Sequence, residues 1–494
     1  MYRRVFFFAG LYIFFGGCNN VFASQAERLT LQEAISKART QSVDAAVALN
    51  ELKTAYWEYR TYYANLLPEV NFRATLPSYN KSYSAYQESD GAYTFVRNNS
   101  LEINGVLSVD QSIWLTGGML SFSSSLDYLK QLGSNGKQYY MSVPFSVTFT
   151  QPIFSVNSVK WNRRIEPVRY LEAKANFITA TETVTLTTIT YFFNLLLSEE
   201  KVGIAHQNLK NTEKLYEVAQ ARRDMGQMSE NELLQLRLST LNARTALTDA
   251  ESDYNAQKFK LLTHLGLDEQ GEWEVVVPDE VPQVDVHYEQ VVGKALLNNA
   301  FSQNIRRRQL EADYAVASAK GSLRNIDLYA NVGFSGKGTE LAMGYNGLKD
   351  NQVVEIGMRI PILDWGKRRA KIRVAESDRE VARLRICREQ MNFKQDIFLL
   401  VEHFNNQLQQ LRIAAEADTV AARRYKTSFE TFLIGKISTL DLSDAQSSKD
   451  EARQKYITEL YNYWYYFYQL RSVTLWDFEK NMEIEADFEE IVKQ

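Results

Sequence analysis

The residue types that usually perform catalysis are scattered along this sequence. The two cysteines and the four histidines match no HExxH pattern and no Cys/His metal-binding spacing. Gly336-Lys337-Gly338 lacks the spacing of a phosphate-binding loop and is interpreted as an outer loop. We therefore predict neither an enzyme nor a cofactor, and we interpret each histidine as a hydrogen-bonded helix or connector residue: His206, His264, His287 and His403.

Two carboxylates and one aromatic run are the remaining candidates for binding chemistry. Asp441 and Asp444 are three residues apart on a predicted helix, so they share a face. Two interpretations of Asp441 alone have equal weight. It belongs to a charged binding site, or, more simply, it is an aspartate that the dipole favours at a helix N-terminus. The run YNYWYYFY at 461–468 favours aromatic core packing over ligand stacking.

Composition excludes some classes of protein and permits long helices. The chain has 494 residues, with 56 basic and 60 acidic side chains, so it lacks the basic excess that nucleic-acid binding needs. Only eight prolines are present, and long uninterrupted helices are sterically possible. The length allows two or three ordinary domains.

The N-terminus has the pattern of a secretory signal peptide over residues 1–23. Arg3 and Arg4 precede an apolar run at 5–15, and Val21-Phe22-Ala23 fits signal cleavage before Ser24. The alternative is a lipoprotein signal with a lipid on Cys18, although Phe15 fits that pattern poorly. No later stretch of 18 or more apolar residues appears, so any membrane crossing is expected to use a closed β-barrel.

Hydrophobic periodicity predicts helices and strands in alternation. A helix at 31–65 is followed by alternating strand patterns around 70–76, 101–113, 120–128 and 141–149, with polar loops such as 78–99 between them. Long helices follow Pro152, with a glycine turn and an N-cap serine at 225–229, and a coiled-coil seam runs along 230–264. After a connector, a helix at 288–323, two strands and another pair of long helices repeat the pattern.

The two halves keep one register over their long helices, at an offset of 209 residues. Residues paired by this offset are Pro152 with Pro361, Gly226 with Gly435, Ser229 with Ser438, and Tyr254 with Tyr463. The match predicts two copies of one unit. Each long helix that follows a strand region has about 70 residues and is roughly 100 Å long. The helices before the strand regions and after the glycine turns are about half that length, so we expect them to meet end to end at mid-height. Helices of this length must bury their seams against other copies.

Four motifs resemble the TolC family of outer-membrane efflux proteins. They are LTLQEAISKA at 29–38, QPIF at 151–154, RIPILDWGKRRAKIRVAE at 359–376 and FETFLIGKISTLDLSDAQ at 429–446, the last with its counterpart AQARRDMGQMSENELLQLR at 219–237. The resemblance covers essentially the whole mature chain. It implies a mainly helical fold with a transmembrane β-barrel contribution, built as two tandem repeats of half-helix, β-hairpin, long helix, tip turn and half-helix.

The resemblance also implies a homotrimer in the outer membrane, with most of its helical mass in the periplasm. It implies as partners a periplasmic adaptor (membrane fusion) protein and an inner-membrane RND, ABC or MFS pump. The family's adaptor-docking tips map onto Gly226, Gln227, Met228 and Ser229, and onto Gly435, Lys436, Ile437 and Ser438.

The family's periplasmic constriction carries acidic rings that match Asp441 and Asp444. Three copies would bring six carboxylates together, which predicts cation preference and a binding site for divalent cations. With this resemblance we favour the gate over simple helix capping. The tyrosine and arginine that lock the family's gate are replaced by Phe432 and Ile437, so the closed state must be held differently; pairing of Glu232 with Lys436 is one hypothesis.

The strand region is another departure, because the first half has four predicted strands where the family has two. Either all six strands of the chain share one barrel, or the hairpin around Gly117-Gly118 projects outside it; we favour four in the barrel. The predicted divisions are 1–23 signal peptide, 24–68 helix, 69–152 first strand region, 153–264 first helical hairpin, 265–287 connector, 288–323 helix, 324–361 second strand region, 362–476 second helical hairpin and 477–494 C-terminal tail.

The sequence thus predicts a passive exit duct for efflux or type I secretion. The competing class is a non-transporting periplasmic coiled-coil scaffold. Cargo is not predicted, because the pump selects it.

Overall fold

The structure, a computed structural model, describes residues 27–89, 91–132, 136–226, 228–267, 273–278, 281–322, 325–359, 363–434, 436–484 and 486–493. The chain forms two compact units, Met1–Ala38 with Thr188–Val281 and Arg39–Thr187 with Pro282–Gln494. The elements of the first repeat are β1 Glu27–Leu29, α1 Leu31–Gln41, α2 Val43–Ala64, β2 Glu69–Gln87, β3 Tyr93–Ile113, β4 Gly118–Gln131, β5 Gln138–Pro152, α3 Ser158–Asp224, α4 Glu230–Leu265 and β6 Trp273–Val275.

The second repeat follows the same order with a shorter strand region. Its elements, with the C-terminal tail, are α5 Tyr288–Asn298, α6 Ala300–Gly321, β7 Asn325–Gly338, α7 Leu341–Gly344, β8 Lys349–Arg359, α8 Lys367–Leu433, α9 Thr439–Thr474, β9 Trp476–Asp477, β10 Met482–Glu483 and α10 Phe488–Lys493.

Helix lengths in the two repeats agree residue for residue, which confirms the predicted duplication. The long helices α3 and α8 each have 67 residues, and α4 and α9 each have 36. The short helices also match: α1 and α5 have 11 residues, and α2 and α6 have 22. The matched helices therefore have equal lengths in the two repeats, and the strand regions between them differ.

The predicted continuous helices at 31–65 and 288–323 are wrong, because each is broken by a capping residue. Ser42 has an extended backbone (φ −68°, ψ 149°), and its hydroxyl accepts a hydrogen bond from the N–H of Ala45 at 3.1 Å. Asn299 has the same conformation, and its side chain accepts from the N–H of Phe301 at 2.9 Å. Each side chain satisfies an N–H that the start of a new helix leaves free, so the break is stable.

All six long strands form one antiparallel sheet in the order β2-β3-β4-β5-β7-β8. The favoured expectation of four strands with a separate hairpin at Gly117-Gly118 is wrong, since β3 pairs with β2 on one side and β4 on the other. The predicted polar loop at 78–99 is also wrong. Residues 78–87 and 93–102 continue the β2–β3 ladder, and their tyrosine and phenylalanine residues favour extended backbone.

Gly336-Lys337-Gly338 lies at the end of strand β7, paired with β5, and not in the predicted outer loop. The reason is close packing, because the short α7 folds back onto this strand. A Cβ at Gly336 would collide with the carbonyl oxygen of Gly344, and one at Gly338 would collide with Met343. Only glycine allows the two backbones to approach this closely.

The sheet has one apolar face and one polar face, because successive side chains point to opposite sides. The apolar face carries Val70, Phe72, Leu107, Val109, Phe122, Val147, Ala330, Val332, Val354 and Ile356, linked in the strand register. The polar face is hydrogen-bonded within itself: Asn331 donates to the hydroxyls of Ser146 (2.9 Å) and Thr148 (2.7 Å), and Ser108 donates to Asp110 (2.9 Å). The apolar face is largely exposed, with Phe72 at 73 % and Val354 at 74 %.

The unit made of residues 27–38 and 188–281 packs α4 against the second half of α3. Its core contains Ile189, Phe192, Leu195, Leu261, Leu262 and Leu265. The hydroxyl of Thr188 and Nε2 of His264 lie 3.0 Å apart, and the ring of Tyr191 packs edge-on against the same imidazole. Leu233, Leu236 and Leu261 of the predicted seam are buried. His264 is thus a hydrogen-bonded helix residue, as expected.

The unit made of residues 39–187 and 282–493 packs α9 against α8 and buries most of the aromatic run. Tyr463, Trp464, Phe467 and Tyr468 are at most 5 % exposed, and the Tyr463 hydroxyl donates to the carbonyl of Pro282. His403 stacks on Tyr466 with the ring planes 10° apart. Core packing is therefore the role of this run.

An ion pair joins α3 to α6 in the same unit. The Nε of Arg307 donates to Glu172 at 2.6 Å, its Nη2 donates to the other carboxylate oxygen at 3.2 Å, and Asn304 donates to that oxygen at 2.8 Å. The Arg307 and Glu172 side chains are only 22 % and 10 % exposed. Hydrogen bonds to Glu172 raise the pKa of Arg307 further above its usual range. The pair is a two-point contact between the helices.

No helix within the described ranges combines the length and the hydropathy needed to cross a membrane.

Candidate functional site at the helical turns

The first helical turn lies between α3 and α4 and depends on one glycine. Gly226 has a φ of +72°, the left-handed region that side chains disfavour, and its N–H donates to the carbonyl of Arg223 at 2.8 Å. A Cβ at this position would meet no atom within 4 Å, so backbone conformation and not space selects glycine here. The chain reverses at this residue to start α4.

Ser229 and Glu232 close the start of α4 with a reciprocal capping box. The Ser229 hydroxyl accepts from the N–H of Glu232 at 3.3 Å, and Oε2 of Glu232 accepts from the N–H of Ser229 at 3.0 Å and from its hydroxyl at 2.9 Å. These bonds, the backbone one foremost, lower the pKa of Glu232. One carboxylate oxygen is thus used by the helix end, and the pairing of Glu232 with Lys436 stays a prediction.

Arg223 braces the first turn from the other side, a role that the sequence did not reveal. Its guanidinium lies 2.8 Å from Asp224 and 3.3 Å from Glu230, so it links the end of α3 to the beginning of α4. Its counterpart in the second repeat is Phe432, which is only 6 % exposed. At this one position the two turns therefore differ, with an ionic contact in the first and a buried aromatic ring in the second.

The second turn repeats the capping box with an aspartate. Ser438 accepts from the N–H of Asp441 at 3.1 Å, and Oδ2 of Asp441 accepts from the Ser438 hydroxyl at 2.7 Å and from its N–H at 3.2 Å. The Ser438 hydroxyl is the main cause that lowers the pKa of Asp441, followed by the Ser438 N–H, and the charge of Arg424 adds to the effect. Asp441 therefore has the helix-capping role that was the simpler interpretation of this residue.

Asp444 is paired with an arginine of the neighbouring helix. Nη2 of Arg424 on α8 donates to Asp444 at 2.5 Å, and its Nη1 donates to the hydroxyl of Ser448 at 3.1 Å. The side chains remain 51 % and 64 % exposed. The pair thus ties α8 to α9 just above the turn, and the charge of Arg424 also acts on Asp441 without a direct contact.

This grouping of two carboxylates and one guanidinium belongs to the second repeat alone. At the offset of 209 residues, Leu215 stands where Arg424 is and Gln235 stands where Asp444 is. Leu215 is 7 % exposed and packs in its own hairpin. No local sequence pattern indicates Arg424, because its partner is 20 residues away, across the hairpin.

The other predicted turn residues differ in their exposure. Lys436 is exposed, Met228 and Ile437 are half-buried, and the N–H of Lys436 donates to the carbonyl of Thr431 at 3.1 Å. Gln227, Gly435 and Cys18 lie outside the described residues. Within the described ranges no three His, Cys, Asp or Glu side chains are grouped to hold a metal ion, and Cys387 is an exposed free thiol. A cation ring at Asp441 and Asp444 would need more than one copy of the chain.

The fold defined by these repeats is that of the outer membrane channels of known structure. The chain matches the CmeC outer membrane channel of Campylobacter jejuni with a TM-score of 0.68 and 15 % identity, covering 94 % of this chain and 88 % of that one. It matches VceC of Vibrio cholerae with a TM-score of 0.63 and 14 % identity, covering 92 % and 97 %. The MtrE channel of Neisseria gonorrhoeae, solved in its open state, gives 0.59 and 15 %, covering 90 % and 88 %.

The family model described as outer membrane efflux protein matches residues 34–267 and 295–474, most of the chain and both repeats. The chain therefore belongs to the outer membrane efflux protein family. It is an efflux channel subunit of the outer membrane. No curated protein is significantly similar to it in sequence.

Proposed function

We propose that three copies of this chain form one passive exit duct, fed by an inner-membrane pump through a periplasmic adaptor protein. In this arrangement the sheet lies in the outer membrane and the long helices extend into the periplasm. The observation that carries the proposal is the six-stranded sheet, which has an exposed apolar face, a polar face and two unpaired edges.

The sheet edges support assembly with further copies. Strands β2 and β8 are the two edges of the sheet, and they run in opposite directions because all neighbours in the six-strand order are antiparallel. An unpaired edge exposes backbone N–H and C=O groups that lipid cannot satisfy. Pairing β8 of one copy with β2 of the next satisfies these groups in an antiparallel ladder, directs the apolar face to lipid and encloses the polar face.

An apolar row along α8 supports lateral packing of the helices. Val374 and Val381 are seven residues apart on α8, and so are Met391 and Phe398. Each of these four side chains is 43–66 % exposed. Large side chains repeated in this way on an exposed helix surface form a coiled-coil seam that lacks its partner. A neighbouring copy would cover the row.

The helical turns are the proposed periplasmic end. Gly226, Met228 and Ser229 of the first turn, and Lys436, Ile437 and Ser438 of the second, are offered as the adaptor-docking residues, with Gln227 and Gly435 beside them in sequence. Asp441 and Asp444 are offered as the ring at the constriction, with Phe432 and Glu232 beside it. The capping boxes support this because they fix the helix start after each turn, and the Arg424–Asp444 pair ties the two helices beside the second turn. Neither the pump class (RND, ABC or MFS) nor the cargo is assigned, because both depend on the partner proteins.

The trimer is tested by substitution in the exposed row of α8. Met391→Glu places a charge in the proposed seam, whereas Gln390→Glu places the same charge on the adjacent exposed residue. In outer-membrane fractions, unheated gel electrophoresis should show a heat-resistant trimer for the natural chain and Gln390→Glu, and its loss for Met391→Glu. A soluble monomer for the natural chain would instead support a non-transporting periplasmic scaffold.

A further inference from the structure

The β2–β3 hairpin extends well beyond the rest of the sheet. Pairing of β3 with β4 begins at Ser100, and the Asn99 carbonyl accepts one further hydrogen bond from Leu132, so residues 93–98 pair only with residues 82–87 of β2. We call residues 78–87 and 93–102 the outer ribbon. The ribbon lies at the end of the sheet remote from the helices, because β2 follows α2 and β5 leads into α3 at the opposite end.

A β-bulge keeps the two faces of the outer ribbon continuous with those of the sheet. The register shifts between Thr75 and Ser78, which adds one residue to β2. Below the bulge the apolar face carries even-numbered β2 residues such as Phe72, and above it the same face carries odd-numbered residues such as Tyr79. Without the extra residue, serines and asparagines would stand above the apolar face.

The face above the apolar band combines aromatic rings with positive charge. Its paired positions are Tyr79 with Leu101, Lys81 with Asn99, Tyr83 with Arg97, Ala85 with Phe95 and Gln87 with Tyr93. The four aromatic rings are 58–69 % exposed, and Lys81 and Arg97 are exposed as diagonal neighbours. None of these ten described residues is acidic. The opposite face carries small polar residues, including Asn80, Ser82, Ser84 and Asn98.

A third cation and a tyrosine pair show where this face lies relative to the membrane interface. Tyr128 and Tyr140 are cross-strand partners on the apolar face, with ring centroids 5.0 Å apart. Lys130 is the next residue above on the same face, opposite Leu101, and it is exposed. Arg97 is six residues along β3 from the partner of Tyr128, which is about 20 Å at the usual rise of a strand. Aromatic girdles mark the membrane interface of outer-membrane strands. Lys130 therefore lies at the interface, and Lys81 and Arg97 lie beyond it, on the side away from the helices.

We propose that this face of the outer ribbon, with Lys130, binds the phosphorylated sugar headgroup of the outer-leaflet glycolipid, lipopolysaccharide. The inference rests on the proposed function, which directs this end of the sheet outward. Lys81, Arg97 and Lys130 pair with phosphates, and the tyrosine and phenylalanine rings stack on sugar faces. Continuity with the lipid-facing band and the complementary charge together select a lipid headgroup over a protein partner.

The test is equilibrium binding of fluorescently labelled lipopolysaccharide to the purified full-length trimer at 0.1 M salt. The ribbon variant is Lys81→Gln with Arg97→Gln and Lys130→Gln. Its matched control removes three exposed cations from the polar face, by Arg73→Gln with Lys337→Gln and Lys349→Gln. Each cation near an anionic surface contributes roughly fivefold in affinity, so the ribbon variant should bind about 100-fold more weakly. The control should change binding less than about threefold, because its cations face away from lipid.

Further arms separate the ligand chemistries. Dephosphorylated lipopolysaccharide should bind the natural chain as weakly as the ribbon variant binds the intact glycolipid, and phosphatidylglycerol vesicles should bind it more weakly than the glycolipid. Arg97→Lys should retain the natural affinity. Equal affinity of the ribbon variant, an equal loss in the control, or equal binding of phosphatidylglycerol would overturn the proposal. The heat-resistant trimer, measured in parallel, reports on the proposed function independently, since a chain that forms trimers without this preference refutes only the glycolipid site.

Discussion

The exposed pair between Arg424 and Asp444 makes a specific prediction about ion selectivity. Arg424→Gln removes a guanidinium that pairs with Asp444 and whose charge also acts on Asp441. With side chains 51 % and 64 % exposed, the pair is expected to contribute only about 0.2–1 kcal/mol to stability. The turn should therefore stay folded, and the main change is electrostatic.

The size of the change follows from the charges. Each copy then carries two uncompensated carboxylates, Asp441 and Asp444, instead of a net single negative charge, so a ring of three copies gains three charges. Taking each charge as about 10 Å from the axis, in water the gain is roughly 1.2 kcal/mol for a monovalent cation before screening. Screening leaves about a fivefold rise in local cation concentration at 0.01 M salt and about twofold at 0.1 M.

The assay is the reversal potential of single channels in a planar bilayer under a potassium chloride gradient. Arg424→Gln should shift the cation-to-anion permeability ratio upward, and more so at 0.01 M than at 0.1 M salt. Arg453→Gln is the matched control, since Arg453 bridges to Asp418 at 3.3 Å in the same hairpin but about 14 Å further along α9. An unchanged ratio, or an equal shift in the control, would refute the assignment of these carboxylates to the constriction.

Two other predictions concern stability. Ser438→Ala removes the hydroxyl of the second capping box and should cost about 1 kcal/mol, seen as faster amide exchange in the first turn of α9. Because that box lowers the pKa of Asp441, the stabilisation from the carboxylate is present above the ordinary value of 3.8 and is lost as pH falls through the lowered value. The difference between natural and variant chains should therefore narrow in acid to the contribution of the bond from the Asp441 N–H to the Ser438 hydroxyl. Arg307→Met leaves Glu172 without its guanidinium and should cost about 3 kcal/mol in thermal unfolding of the trimer. Arg169→Met, which removes a 46 % exposed side chain, should cost less than about 1 kcal/mol; similar melting of the two variants would contradict the buried-pair argument.

The sequence predicted the helical architecture well because long helices have strong local signals. Proline before each long helix, glycine at each turn and a serine N-cap are chemical features of single residues. The breaks at Ser42 and Asn299 were missed because neither glycine nor proline marks them, and helix-forming residues continue on both sides. The only local signal was a capping residue inside the helical pattern.

The outer part of the sheet was not predictable from composition. In the outer ribbon, tyrosines alternate with serines and asparagines, a composition that is typical of loops. Only pairing with the partner strand shows that Arg97 shares a face with Tyr79, Lys81 and Tyr83. The parity change at the bulge also hides the alternation, since no single period runs through β2.

The candidate site was predicted in its residue types but not in its contacts. Asp441 and Asp444 were identified through the family resemblance, and their spacing placed them on one helix face; the structure adds that Ser438 caps the first and Arg424 binds the second. Such partners come from across a hairpin or from the geometry of a helix end, which a linear pattern does not show. The role of the pair as a gate stays a prediction.

Single-channel recording of the purified full-length chain in a planar lipid bilayer decides whether three copies form a conducting duct. We expect discrete, cation-preferring conductance steps for the natural chain and for Gln390→Glu, and no steps for Met391→Glu, which cannot close its helical seam. If the natural chain runs as a heat-resistant trimer but gives no conductance steps, or if both variants conduct equally, the three-copy duct is refuted.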